Sequence, residues 1–232
     1  MTDESGPVLL FDQLTVQTDG SYTTSIWNAN LSLGRGELAL IQLEPQQYNT
    51  PLMDAALGLV QPQHGRVMFD GENWQQMSPD RACAMRNRTG RVFEGNAWLH
   101  QLSISDNITL ASRYHGKASE ESIAADAVRL ARQFGLPGLP TAPTDKVPEP
   151  DLRRAELVRA LLGDPALILL ERPTRAIYPE IMRPLIQALQ AAREKGAAVL
   201  FTTSNAKVWE STAIRPTYRF RMSGSQLLEI TR

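Results

Sequence analysis

The chain has 232 residues, with 24 Lys and Arg against 25 Asp and Glu and a formal net charge of −1. That length predicts a single compact domain with an inserted subdomain, and the near-neutral balance gives no electrostatic reason to expect a nucleic-acid partner, which would favour a basic stripe or patch. One cysteine, Cys83, excludes an intramolecular disulfide and fits a reducing compartment. The start, Met1-Thr-Asp-Glu-Ser-Gly6, is acidic where a signal peptide is basic. The longest apolar runs, 166–170 and 196–201, are too short to span a bilayer. A soluble chain is expected, and any work at a membrane requires another chain to hold it there.

In chain order, strands are expected at 8–16 and 26–33, separated by a polar turn at Gly20. The turn Gly34-Arg-Gly-Glu37 leads into 38–43, apolar enough to be a strand buried on both faces. A helix begins near Thr50-Pro51, with the hydroxyl as N-cap and proline in the first turn, and stops near Gly58. A strand at 66–70, a helix at 79–86 and a strand at 90–93 follow. Helices are expected at 104–114, 119–134 and 151–162, the last after a Pro-rich loop at 136–150. The pattern closes with a buried strand at 167–170, a helix at 179–195, a buried strand at 198–202, and strands at 217–222 and 226–230. Strands and helices alternating around a helical insertion describe an α/β sheet with parallel character.

Framework residues then fall in a telling order. Gly36-Glu37 precedes the first buried strand, Gly58-Leu59 ends the next helix, and Asp70-Gly71 closes the next strand. Val92-Phe93 and Asp106-Asn107-Ile108 follow; Arg159-Ala160-Leu161 and Asp164-Pro165 lead into an apolar strand before Pro173-Thr174. In this order and spacing the chain resembles the nucleotide-binding domain of ABC transporters over almost its whole length. The stretch 105–115 further resembles the subfamily that serves bacterial lipid transport, the MCE-type systems. The resemblance implies a P-loop-NTPase-like α/β sheet flanked by helices, with an antiparallel β subdomain and an α-helical subdomain at about 95–162. All of it belongs to one domain, 1–232.

The family's functional motifs are matched by different chemistry. Its phosphate-binding loop, G-x-x-x-x-G-K-[ST], needs glycines so that backbone N–H groups crowd the phosphates, a lysine for charge and a hydroxyl for Mg2+. The matching stretch is Leu43-Glu44-Pro45-Gln46-Gln47-Tyr48-Asn49-Thr50-Pro51, without a glycine. Asn49 stands at the lysine, removing a contact charge worth about 4 kcal/mol near a protein surface. Tyr48 precedes it, Pro51 lacks an N–H, Glu44 brings an acid, and Thr50 alone keeps its hydroxyl. Glu94 replaces the glutamine of the Q-loop. Val147-Pro148-Glu149-Pro150-Asp151 stands where the signature L-S-G-G-Q caps a helix, and its two carboxylates would repel a phosphate there. Glu171 matches the metal-binding aspartate. Arg172 holds the place of the glutamate that polarises water, and arginine is not a base; losing a positioned base removes roughly 10²–10⁴ in rate. Ser204 matches the switch histidine. Because a buried charge needs a partner, Arg172 is expected to pair with Glu94 and fill the position of Mg2+ and the γ-phosphate.

Two further expectations come from the resemblance. Tyr22 lies near where such proteins stack adenine, or simply fills a β-turn. Trp98, Leu99 and Leu102, within 96–102, either form an apolar socket for a coupling helix of a transmembrane subunit or are core residues of the helical subdomain. The resemblance thus implies an ABC ATP-binding-like subunit that hydrolyses little or no ATP. It would be cytoplasmic and peripheral at the inner face of the cell membrane through a transmembrane partner, paired as a homodimer or with another ABC ATPase chain. No catalytic residue, metal ligand or cofactor is expected, ATP and Mg2+ finding too few anchors. Two other readings stay open: a working ATPase with relaxed motifs in which Thr50 and Glu171 hold Mg-nucleotide, and a free-standing interaction module.

Overall fold

The computed structural model describes residues 6–18, 20–95, 97–116 and 118–230; the acidic start at 1–5 lies outside the described residues. In chain order they form β1 (Leu9–Val16), β2 (Ile26–Leu33), β3 (Leu38–Gln42), α1 (Leu52–Ala56), β4 (His64–Phe69), β5 (Glu72–Asn73), α2 (Pro79–Arg86) and β6 (Thr89–Val92). The helices α3 (Ile104–His115), α4 (Glu120–Gln133) and α5 (Glu149–Leu161) come next. β7 (Leu167–Glu171), α6 (Met182–Glu194), β8 (Ala198–Thr203), α7 (Ala206–Trp209), β9 (Tyr218–Ser223) and β10 (Gln226–Glu229) complete the chain.

Two sheets result. An antiparallel one has the order β2-β1-β4-β5, and a larger one the order β10-β9-β3-β8-β7-β6. In the larger sheet every neighbouring pair is parallel except β10 with β9. All five residues of β7 and all six of β8 are buried, which is why those strands read as unbroken apolar runs and not as alternation. Alternate side chains point to opposite faces: Ile41 and Leu200 pack toward the antiparallel sheet with Phe11 and Phe69. Leu40 and Phe201 pack toward the helices, against Phe134 and Leu157.

Serine hydroxyls start three helices as caps should: Ser78, Ser103 and Ser119 accept the backbone N–H groups of Arg81, Asp106 and Ser122. Thr50 does not do this for α1, whose cap residue is Pro51 with no side-chain hydrogen bond. The expected helix from 179 also begins later, at Met182. Pro184 supplies the reason. A helix running from 179 would need the N–H of residue 184 to bond the carbonyl of Glu180, whereas in the first turn a missing N–H leaves nothing unsatisfied.

Strand β6 lies at the edge of the sheet, directly against α5, and Gly90 makes the approach possible. A Cβ on Gly90 would sit 1.7 Å from the carbonyl oxygen of Ala160, a backbone atom that can move only by shifting the helix. Gly90→Ala is therefore expected to cost about 3 kcal/mol, at the upper end of overpacking, read as a lower midpoint in urea unfolding; an unchanged midpoint would show that α5 adjusts freely.

Candidate functional site

Parallel strands bring their carboxyl ends to one edge, where ligands of open α/β sheets bind. Gln42 pairs in register with Thr203, Thr202 with Glu171, and Leu170 with Val92. The turns that follow β3, β8, β7 and β6 thus carry the 43–50 loop, Ser204, Arg172 and Glu94 along the same edge. Spacing along the chain marks these four segments as motifs; the sheet order makes them neighbours.

Arg172 organises this edge. Its Nη2 donates to the backbone carbonyls of Glu44, at 3.2 Å, and Gln47, at 3.0 Å. Its Nε faces Glu94 Oε2 at 3.6 Å, and both side chains are only 13% exposed. Glu94 Oε1 lies 3.3 Å from Arg175 Nη1. The expected pair between Arg172 and Glu94 is therefore formed, and the arginine holds the loop as well, which no residue pattern foretells. Arg172 sits at φ +43°, a left-handed conformation that costs a non-glycine residue about 1–2 kcal/mol, while its N–H donates to Thr202 O at 3.1 Å.

The rest of the loop is fastened from other sides. Gln47, buried, accepts from the Glu44 N–H and donates to Gly224 O. Asn49 donates its side-chain amide to Ser21 O at 2.6 Å, and its backbone exchanges hydrogen bonds with Thr23. Thr50 is buried and Tyr48 is 57% exposed. Pro51 begins the turn into α1.

Arg91 is a buried charged side chain of this edge that the motif reading leaves out. From β6 it donates Nε to Glu171 Oε1 at 2.6 Å and Nη1 to Asp54 Oδ1 at 2.5 Å, and its guanidinium lies 4.3 Å from the Phe93 ring centre. Asp54 also accepts from the Tyr22 hydroxyl at 2.8 Å, so Tyr22 ties the turn to α1. Burial pushes the Glu171 carboxyl above its ordinary value, and Arg91 pulls it back only partly. Burial also disfavours charge on Arg91, but Glu171 and Asp54 outweigh it and keep the guanidinium charged. The one signal in the sequence is an arginine placed inside a short run otherwise suited to a buried strand.

Helix α5 grips the segment after β6. Arg153 donates to Phe93 O at 2.7 Å and to Glu94 O at 3.3 Å, while Arg159 donates to Ala97 O at 2.8 Å. Glu156, between them, pairs with Arg153 at 2.6 Å and is 3% exposed. The signature-equivalent residues lie at the helix tip. Val147 is part-buried, Pro148, Glu149 and Pro150 are exposed, and Asp151 pairs with Arg154 at 2.7 Å. Ser204 is exposed just beyond β8.

A groove of about 840 Å³ opens between α3, α4 and the ends of α2, α5 and α6, with Phe93, Leu99, Leu110, Ile123 and Arg159 among its walls. Leu99 is half exposed and lines it. Trp98 is 6% exposed and packs in the helical core under Arg159, whose guanidinium is 4.5 Å from its ring centre. It is therefore a buried support, not an open contact. Leu102 is part-buried. Asn107 shapes this stretch by donating to the carbonyls of Leu99, Leu102 and Ser103 and accepting the Leu99 N–H. Asn96 lies outside the described residues.

The ABC transporter family model matches residues 49–175, more than half of the chain. The chain belongs to the ABC transporter family. It is 26% identical over 162 residues to the intermembrane phospholipid transport system ATP-binding protein MlaF of Escherichia coli, covering 70% of this chain and 60% of that protein's length. It is 27% identical over 195 residues to the lipoprotein-releasing system ATP-binding protein LolD of Shewanella denitrificans, covering 82% of each. A dimeric ATP-binding cassette solved with ADP and phosphate in a post-hydrolysis state has the same fold, with a TM-score of 0.81, 20% identity, and coverage of 96% of this chain and 98% of that one.

The expectation of a chain without a cofactor is corrected by these matches. An ABC transporter domain, with relatives named for ATP binding, makes nucleotide the ligand that the family implies. The missing glycines and lysine are local features of one loop, and they do not outweigh membership carried by the match over residues 49–175. In the arrangement seen, however, the loop does not fit a triphosphate: two of its carbonyls accept from Arg172, and Glu171 is already met by Arg91.

Burial pushes Glu156 up to about 7 from 4.5, against the opposing pull of Arg153 and Arg159. The folded chain therefore holds a proton that the unfolded chain has released between these values. Glu156's contribution to stability is complete below about pH 4.5 and is lost as the pH rises through about 7. Glu156→Gln, which keeps an oxygen for Arg153, should flatten that part of the profile in urea unfolding followed from about pH 5 to about pH 8; an unaltered slope would place the titration elsewhere.

Proposed function

We propose that this chain is the cassette subunit of an ABC transporter that hydrolyses little or no ATP and serves as a structural or regulatory partner of transmembrane subunits. One observation carries the reading. The residue after Glu171, where the family's water-polarising glutamate is expected, is an arginine committed to Glu44, Gln47 and Glu94. A guanidinium cannot take a proton from water. The two acids beside it are engaged already, since Glu94 faces two arginines and Glu171 a third.

The partner reading is supported by the groove beside α3 and by its half-exposed Leu99 and Leu110. Among the described residues no helix is long and apolar enough to cross a membrane, so attachment to the inner face of the cell membrane would run through that groove. The relatives' names support lipid or lipoprotein as the class of cargo. Pairing with a second cassette chain, identical or different, follows the dimeric cassette of the same fold.

The test is phosphate release by the purified chain with its membrane partner, obtained by co-purification from solubilised membranes. The expected reading is background. Robust turnover that is lost in Glu171→Gln would overturn the proposal, and failure of any integral membrane protein to co-purify would favour a free-standing module.

A further inference from the structure

The loop that follows β3 presents the wrong side of its backbone to a phosphate. A phosphate cradle works by aiming N–H groups inward; here the carbonyl oxygens of Glu44 and Gln47 converge on one nitrogen, Nη2 of Arg172. Both hydrogens of that nitrogen are thereby taken. Nε, buried and without a hydrogen-bond partner, faces the Glu94 carboxylate beyond bonding distance. A carboxylate and two carbonyl dipoles surround the guanidinium, so its charge is locally satisfied and the loop is closed around it.

We propose that Arg172 is a built-in competitor for the phosphate loop: its guanidinium holds the 44–47 turn with the carbonyls of Glu44 and Gln47 facing inward, and nucleotide gains the loop only when that side chain leaves. The closure rests on contacts with two carbonyls and one carboxylate. Its left-handed backbone, φ +43°, is a conformation that glycine adopts freely; the side chain is kept there despite that strain, as expected of a group that holds something in place. Arg175, on the same turn, shares Glu94 with it and would take over the carboxylate when Arg172 swings away.

This inference rests on the reading of the chain as a cassette subunit, yet the two fail separately. The experiment is fluorescence titration of the full chain with trinitrophenyl-ATP and Mg2+, displaced by ATP, for the wild type, Arg172→Gly and Arg172→Gln. Arg183→Ala, which removes the same charge from an exposed position on α6, is the control, and circular dichroism reports the fold of each variant. Glycine suits the backbone at 172, and glutamine keeps a polar side chain too short to bridge both carbonyls. Both changes are expected to tighten binding at least about tenfold, equivalent to about 1.4 kcal/mol, with the control unchanged. Binding that is unaltered in a folded Arg172 variant overturns the proposal. Weaker binding overturns it too and makes Arg172 a phosphate ligand. Rapid phosphate release by the wild type would defeat the proposed function and leave this shift standing.

Discussion

Charges taken out of water must be met by opposite charges or by polar groups, and at the carboxyl edge of the large sheet this one requirement fixes nearly every side chain. Asp54 and Glu171 are both satisfied by Arg91. Glu94 is shared by Arg172 and Arg175, and Arg172 then draws in two loop carbonyls. The acids come from α1, the turn after β6, and β7; the bases come from β6 and the turn after β7. None of these pairs is local in sequence, so the edge exists only once the parallel strands are in register. The loop takes its shape partly from this charge matching, through the carbonyls of Glu44 and Gln47, and partly from the amides of Gln47 and Asn49.

The frame is legible in the sequence for physical reasons that can be named. β3, β7 and β8 announce themselves as short unbroken apolar runs because helices or the second sheet cover both faces. α2 and α4 fall where helices are expected, at 79–86 and 119–134, and the structure adds the serine caps, Ser78 and Ser119, that start them. The start of α6 is harder to see, because it depends on where a proline can sit without orphaning a carbonyl. The Asp106-Asn107-Ile108 framework triplet stands out by position, but its reason is visible only in three dimensions, where Asn107 binds four backbone groups of the preceding turn.

The site is legible in its residue types and much less so in its partners. That Arg172 finds Glu94 follows from the need of a buried charge for a counter-ion. That it also binds the loop does not, because no pattern of residues tells which way a carbonyl turns. Arg91 is hidden for a similar reason: a single arginine in a four-residue strand reads as an edge group, whereas its side chain is 9% exposed. The expectation of a chain without a cofactor fails because each lost anchor speaks only for its own contact. Framework turns such as Gly36 and Gly58, both at positive φ, carry the family's architecture independently of the phosphate anchors.

Arg153 and Arg159 stand six positions apart on α5 and hold backbone oxygens at Phe93, Glu94 and Ala97. Each guanidinium fixes the backbone oxygens that it holds to the same helix. A shift of α5 would carry the carbonyls of Phe93, Glu94 and Ala97 with it, and with them the backbone from which the Glu94 side chain faces Arg172.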